Sequence, residues 1–587
     1  MAQVYAVKMP LGAIRAESNV ELQLKGIGSD DIALIVKKDG ESSVEYLPMS
    51  CSGSNLYIHY RFNSPGLYFY SFFSPRNGYL QFDDNQMIGY APTEYCFQQT
   101  VYSRDYLAAE PFRGGIAYQI FPDRFYRTEP IKKITGRVYH EDTKEKPIWW
   151  SDENGVVKNN DFYGGTLKGI EEKLPYLSSL HVSIIYLNPI FLAFSNHRYD
   201  TSDYKTIDPQ LGSVDDFISL CKKAKEVGIR IILDGVFSHT GDDSIYFNKY
   251  GRFDSVGAYQ SQESPYYDWY RFTKWPKSYA SWWGFQTLPE VEELEPSYVE
   301  FITGEDGVID YWMSKGASGF RLDVADELPD VFIEKIRTAI RRRDPEGILI
   351  GEVWEDASNK ISYGERRKYF WGYELDGTMN YPFRTAILNF ISNGEAQLFR
   401  AEIEKIVSNY PKEMLSTCLN LLSSHDTPRA INMLVDSFAA SRPKHEAADR
   451  VLSRGDYLRG IEMMKLAYAL LFYLPGIPTI YYGDEIGMQG YGDPFCRRYF
   501  EWDNIDHNLN DYVKKLANEH AQWKEILRDS RTEFFVAEGA VVGFWRKSER
   551  GKVAFILNRS DRDFTYIFDN GKVAKIRPWS YGAFQFE

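Results

Sequence analysis

The chain has 587 residues, 44% of them hydrophobic and 26% charged, with a formal net charge of −14. That size calls for two to four domains and the composition is that of a globular protein. The acidic balance and the shortness of the basic clusters, Lys132-Lys133 and Arg341 to Arg343, argue against nucleic acid as a partner.

From residue 1 to 112 short apolar runs alternate with turn residues: VELQLKGI, DIALIVKK, NLYIHYRF, GLYFYSFF. Their period of two predicts an N-terminal antiparallel β-sandwich. From 113 to 530 nearly continuous apolar runs (GIAYQIF, SIIYLNPIF, IRIILDGVF, GFRLDVA, GILIGEVW, LNLLSSHD, PTIYYGDE) alternate with amphipathic segments such as VDDFISLCKKAKEVG and DVFIEKIRTAIRRR. Strands buried on both faces read this way, and the alternation predicts a (β/α)8 barrel in a multidomain α/β chain. Seven strands are clear, and the sixth falls in GYELDGTMNY, 372 to 381, by a weaker pattern. After the third strand an aromatic-rich insertion at about 240–305 is far longer than an ordinary βα loop. The segment KLAYALLFYLPGIPTIYYG, 465 to 483, is cut by Pro475, Gly476 and Pro478, so a buried helix, a turn and a strand are expected rather than a membrane span. From 531 to 587 strand patterns return and predict a C-terminal β domain.

Five scattered cysteines have neither a disulfide-framework spacing nor a zinc-ligand spacing. The opening MAQVYAVKMPLGAIRAE lacks the charged head and apolar run of a signal peptide, so a cytoplasmic location is expected.

Polar residues collect where the predicted strands end. Asp234 and His239, Arg321 and Asp323, Glu352, and His425 with Asp426 come from four strands, and in a barrel they converge on one pocket. In GFRLDVADEL, 319 to 328, Arg321 and Asp323 are two apart and share a strand face, with Leu322 and Val324 on the other. Arg321 would hold Asp323 ionised, and a less polar niche would keep a proton on Glu352. One ionised and one protonated carboxyl group is what glycoside cleavage needs. Metal-assisted hydrolysis is the competing chemistry, but no His-x-His pair marks a first strand.

These stretches resemble the alpha-amylase superfamily, glycoside hydrolase family 13. DGVFSHTG, GFRLDVADE, GEVW and LLSSHD are similar to its four signature strand ends, in order, and YQIFPDRF to its first strand. SNHRYDTSDY, YYGDEIGMQGYGDPFCRRYFEWD and a starch-binding-type N-terminal module resemble the neopullulanase, cyclomaltodextrinase and maltogenic amylase group. The resemblance implies a retaining hydrolase of alpha-1,4-glucans. It implies Asp323 as nucleophile, Glu352 as acid/base and Asp426 as the third carboxylate. It also implies Tyr199, Asp234, His239, Arg321, His425, Trp354, Asp493 and Arg497 as substrate-binding residues, and a homodimer through the N-terminal domain. Retention predicts carboxyl groups about 5–5.5 Å apart. The same site could transfer the sugar to another sugar, and a non-catalytic glycan binder is the reading from a different class.

The departures are specific. Ser238 stands where the family usually has Asn, YRTEPIKKITG replaces a Gly/Asp/Asn-rich segment, and Thr166 replaces a common Asp, so no calcium or other cofactor is expected. Asp326 stands where the group often has Asn, and LPEVE where MPKLN is usual. His197 reads as structural, while Trp283 and Phe285 are divided between pocket lining and core.

Overall fold

The computed structural model describes residues 3–28, 31–83, 85–153 and 157–586. They form two compact units. The first comprises the chain up to Ala108 together with Asp356–Asp376 and Glu404–Leu415. Eleven of its strands form one sheet system, antiparallel except for the pair between Ile14–Arg15 and Phe97–Tyr102, and Ile361–Ser362 pairs with Glu365–Arg366 apart from it. Strand Asn19–Lys25 shows why the period-two reading works: Val20, Leu22 and Leu24 are buried while their neighbours are not. With Leu34, Phe72 and Phe82 they make the core of this unit. The two later segments belong here through specific ties. Arg366 donates to Asp39 (2.8 Å), Gln98 to Ser358 (2.8 Å) and Arg15 to Glu413 (3.0 Å).

The second unit holds eight parallel strands: β1 (Ala117–Ile120), β2 (Ile184–Leu187), β3 (Arg230–Gly235), β4 (Gly319–Leu322), β5 (Ile348–Gly351), β6 (Gly377–Thr378), β7 (Leu419–Leu421) and β8 (Ile477–Tyr481). Their hydrogen-bonded order is 6-5-4-3-2-1-8-7. A parallel bridge between Met379 and Leu419 joins the two ends and closes the barrel. Ile184, Ile232, Ile348, Ile350, Leu419 and Ile477 fill its interior. The weakly patterned sixth strand is the shortest of the eight, only Gly377 and Thr378, inside the expected window.

Helix α1 (Val214–Glu226) starts at a capping box between Ser213 and Asp216 and buries Phe217, Leu220, Cys221 and Ala224. Helix α2 (Asp330–Arg343) buries Phe332, Ile333, Ile336, Ala339 and Ile340 on one stripe. The insertion after β3 is held by stacked and edge-on rings, among them Phe247 against Tyr270 and Tyr279 (4.8 and 4.7 Å between centroids). The long apolar stretch becomes helix α3 (Arg454–Tyr473), a turn and β8. Among the described residues no helix is long and apolar enough to cross a membrane. After helix α4 (His507–Leu527), strands Arg531–Glu538, Val541–Ser548, Gly551–Asn558 and Ser580–Phe586 form an antiparallel sheet, and Phe564–Ile567 pairs with Val573–Ile576.

Candidate active site

The strand register assembles the pocket. Asp234 on β3 pairs with Arg321 on β4, and Arg321 with Ile350 on β5. The Arg321 guanidinium is fully buried. Its Nη1 donates to Asp234 Oδ1 (2.6 Å) and Asp323 Oδ1 (2.9 Å), and its Nη2 lies 2.7 Å from Glu352 Oε2. One planar cation therefore holds three carboxyl groups from three strands. Asp426, following β7, completes the acidic cluster; its oxygens lie 3.2 Å from His425 Nε2 and 3.3 Å from Arg497 Nη2.

Three sequence expectations about this cluster are corrected. Strand β4 ends at Leu322, and Val324 does not point to an opposite strand face. It adopts a left-handed conformation (φ 39°, ψ 55°), which for a β-branched residue stores about 1–3 kcal/mol of strain. In that turn its N–H donates to Glu352 Oε2 (2.9 Å) while Trp354 Nε1 donates to Oε1 (3.0 Å). The niche of Glu352 is thus rich in donors rather than apolar. Third, Arg321 does not by itself keep Asp323 ionised. Burial pushes the Asp323 carboxyl well above its usual range, Arg321 pulls it down, and Glu352, Asp234 and Asp426 push it up again. Burial likewise raises Asp234. Partial desolvation raises Asp426 to about 7 although its side chain keeps 30% exposure, with Glu352 adding to the rise and Arg497 opposing it. Asp234, Asp323 and Asp426 are thus all pushed upward, and close acids of this kind titrate together rather than one by one.

Arg321→Met should be strongly destabilising, because three carboxylates would stay buried without their cation. A loss of about 3–5 kcal/mol is expected, read as a fall in the urea midpoint; an unchanged midpoint would show that the carboxyls neutralise themselves.

The histidines are neutral. Burial pushes His425 well below its usual range, helped by Arg497 and Arg321, and pushes His239 down to about 4. Gln119 Nε2 lies 3.0 Å from His425 Nδ1, which leaves the ring proton on Nε2, toward Tyr199 Oη and Asp426. Tyr199 Oη in turn donates to Asp234 Oδ2 (2.9 Å), and its ring stacks on His425 (5.5 Å, 8°). His239 shares a hydrogen bond with Ser238 Oγ through Nδ1 (3.0 Å), while its buried Nε2 has no partner among the described residues. Trp354 is 43% exposed and stacks on Tyr381 (3.8 Å, 10°). Arg497 donates to the His425 carbonyl (2.8 Å) and pairs with Asp493 (2.8 Å), which ties the loop after β8 to the acidic cluster. His197 is half-buried, its ring is pushed down to about 3 by desolvation, and it accepts from the Tyr199 N–H (3.1 Å).

Sequence reasoning passed over several supports. Gln119 on β1 donates to Asn188 Oδ1 (3.0 Å), Asn188 donates to Tyr199 Oη (3.0 Å), and Tyr186 on β2 donates to Asp234 Oδ2 (2.7 Å). Their signal was a polar side chain inside an apolar run, as in YQIF and YLNPIF. Trp282, beside His239 (5.5 Å), was also missed; from it Trp283 and Phe285 lead outward, 76% and 58% exposed.

A closed parallel barrel with buried carboxyl groups gathered at its strand ends defines a class of barrel proteins with an acidic pocket. Within it, the model of the alpha amylase catalytic domain matches residues 119–534, and the chain belongs to that family. Neopullulanase 2 of Thermoactinomyces vulgaris is 32% identical over 469 residues, covering 78% of this chain and 71% of that protein. An amylopullulanase of Thermoanaerobacter thermohydrosulfuricus is 35% identical over 528 residues, which is 82% of this chain and 34% of that protein. The chain spans a third to a half of the length of the amylopullulanases it matches. Among solved structures, the ligand-free cyclic alpha-maltosyl-(1-->6)-maltose hydrolase from Arthrobacter globiformis matches with a TM-score of 0.69 and 27% identity, over 82% of this chain and 100% of that one.

Proposed function

We propose that the protein is a retaining glycoside hydrolase that cleaves alpha-1,4-glucosidic bonds in maltodextrins, cyclodextrins or pullulan. The observation that carries the reading is Arg321 spanning Asp234, Asp323 and Glu352 with Asp426 alongside. One guanidinium bridging Asp323 and Glu352 favours the close carboxyl spacing of about 5–5.5 Å that retention uses, over the wider spacing of inverting enzymes. In this reading Asp323 attacks the anomeric carbon in its ionised form, paired with Arg321 Nη1, while Glu352 protonates the leaving oxygen. Glu352 then takes a proton from the water that releases the glycosyl-aspartate. Asp426, His239 with its unpartnered Nε2, and His425 bind the hydroxyls of that sugar; Tyr199 supports its face, and Asp493 with Arg497 reaches the next unit.

The test is a panel of cyclodextrin, pullulan and maltotriose, with proton NMR of the first product. Cleavage with the alpha anomer released first is expected; release of the beta anomer would refute retention. Transfer to a sugar acceptor is a second outcome at this site, favoured by the exposed rings of Trp283, Phe285 and Trp354, and product analysis at high sugar concentration separates it from hydrolysis.

We propose further that no calcium is needed. The Thr166 hydroxyl caps a helix by accepting from Gly169 N (2.9 Å), Ser238 Oγ is engaged by His239, and Lys133 pairs with Glu141 in the segment that would supply ligands. The described residues contain no group of three or more His, Cys, Asp or Glu side chains placed to hold a metal. Such a donor set does not fit a cation that takes 6–8 oxygens. Protein dialysed against EDTA should keep its full activity with only substoichiometric calcium by ICP-MS, and one tightly held equivalent would overturn this. A cytoplasmic location fits the five free cysteines. Homodimerisation through the N-terminal domain belongs to the same reading and is checked by mass photometry.

A further inference from the structure

Gln119 sits on β1, paired with Tyr186 on β2 and Tyr481 on β8. It shares a strand face with Ala117, part of the barrel core, so its side chain points into the barrel. Gln119, Asn188 and His425 are buried, and buried polar groups need partners. The direction of each hydrogen bond among them follows from one ion pair. Arg321 Nη1 donates to Asp234 Oδ1 (2.6 Å), which makes Asp234 an acceptor. Tyr186 and Tyr199 both give their hydroxyl protons to its Oδ2 (2.7 and 2.9 Å). Tyr199 Oη has no second proton, so it accepts from Asn188 Nδ2 (3.0 Å). That turns Asn188 Oδ1 toward Gln119, where it meets Nε2 (3.0 Å). The other proton of the same nitrogen faces His425 Nδ1 (3.0 Å). Turned over, the Gln119 amide would set its oxygen against Asn188 Oδ1. Gln119 therefore donates to Nδ1, and the imidazole proton stays on Nε2.

The position of that proton decides what the pocket offers a ligand. His425 Nε2 lies 3.2 Å from Asp426 Oδ2, and the Asp426 side chain is partly exposed. A sugar hydroxyl placed between them accepts from Nε2–H and donates to the carboxylate, so both of its needs are met. With the ring proton on Nδ1 instead, the hydroxyl would meet two acceptors, and Asp426 would face a lone pair.

We propose that Gln119 is a positioning residue for glycoside cleavage, acting through His425 by fixing its tautomer and its tilt; the inference rests on the hydrolysis proposed above. The test is a cycle of Gln119→Met, His425→Phe and the double variant, assayed on maltotriose. His425→Phe should lower kcat/KM by about 10²–10³-fold, the scale of one preorganised donor. Gln119→Met should lower it by roughly ten- to a hundredfold, the scale of a buried partner left unpaired. If Gln119 acts only through His425, the double variant is no slower than His425→Phe alone. Losses that multiply overturn the inference and mark Gln119 as a packing residue. In parallel, ¹⁵N NMR of wild-type protein labelled on histidine should show the His425 Nδ1 as an unprotonated ring nitrogen, identified by its disappearance in His425→Phe. A protonated Nδ1 in the wild type overturns the inference whatever the kinetics give. Absence of turnover by the wild type overturns the hydrolysis on which the inference rests, whereas turnover with multiplying losses overturns the inference alone.

Discussion

Asp323→Asn is expected to lower kcat on maltotriose by roughly 10⁴-fold or more, the scale seen when a covalent nucleophile is removed, and to leave the protein folded. An amide cannot form the glycosyl ester, but it is nearly isosteric with the carboxyl and can still accept from Arg321 Nη1, now 2.9 Å from Oδ1. The thermal midpoint should rise at neutral pH. Because burial and three neighbouring carboxyl groups raise Asp323, the folded protein binds its proton more tightly than the unfolded chain does. Its contribution to stability is therefore full below the ordinary carboxylate range and is lost as pH climbs toward the raised value. The variant has no such group to ionise. Its midpoint should exceed that of the wild type most at pH 8 and converge on it near pH 4. Retention of more than a small fraction of kcat would show that another carboxylate is the nucleophile. A variant less stable than wild type at pH 8 would show that the Arg321 ion pair outweighs burial after all.

The parts of the site that could be read from sequence were those whose chemistry conflicts with their burial. An Arg and an Asp inside GFRLDVA, or a Glu closing GILIGEVW, stand out because charge belongs elsewhere than on a core strand. The barrel was legible for the same reason in reverse, since strands covered on both faces lose their alternation. The residues that were missed carry no such conflict by themselves. Gln119, Asn188 and Tyr186 are neutral, and each has a function only through a partner on another strand. The backbone turn at Val324 was illegible because nothing in a Val announces a positive φ; the surrounding barrel imposes it. The sharing of Arg321 among three acids depends on the register of β3, β4 and β5, which single-strand patterns do not contain. Burial, together with the neighbouring carboxyl groups that this register gathers, reversed the expected direction for Asp323. The residues 356–376 and 404–415 join the first unit through long-range pairs such as Arg366 with Asp39, which are invisible to reading along the chain.

Glu352→Gln separates the two chemical steps that a single acid/base residue would serve. Its carboxyl accepts from Val324 N–H and Trp354 Nε1–H and lies against Arg321 Nη2. A Gln amide has one oxygen for these donors and must turn its NH₂ toward one of them, so some distortion accompanies the loss of the proton. On maltotriose, whose leaving sugar needs protonation, turnover should fall by about 10²–10⁴-fold. On an aryl maltoside with an acidic phenol the first step needs no proton and should proceed nearly as in wild type. The second step, water attack without a base, then limits the rate. The glycosyl-Asp323 ester should accumulate as a burst of phenol and as a mass increment on the intact protein. Azide, which needs no base, should speed its breakdown and yield a glycosyl azide of retained configuration. If the loss is equally large for both substrates and no ester accumulates, Glu352 acts by holding Arg321 and the turn at Val324 in place, and the proton donor has to be sought among Asp234 and Asp426, whose carboxyls burial has already raised.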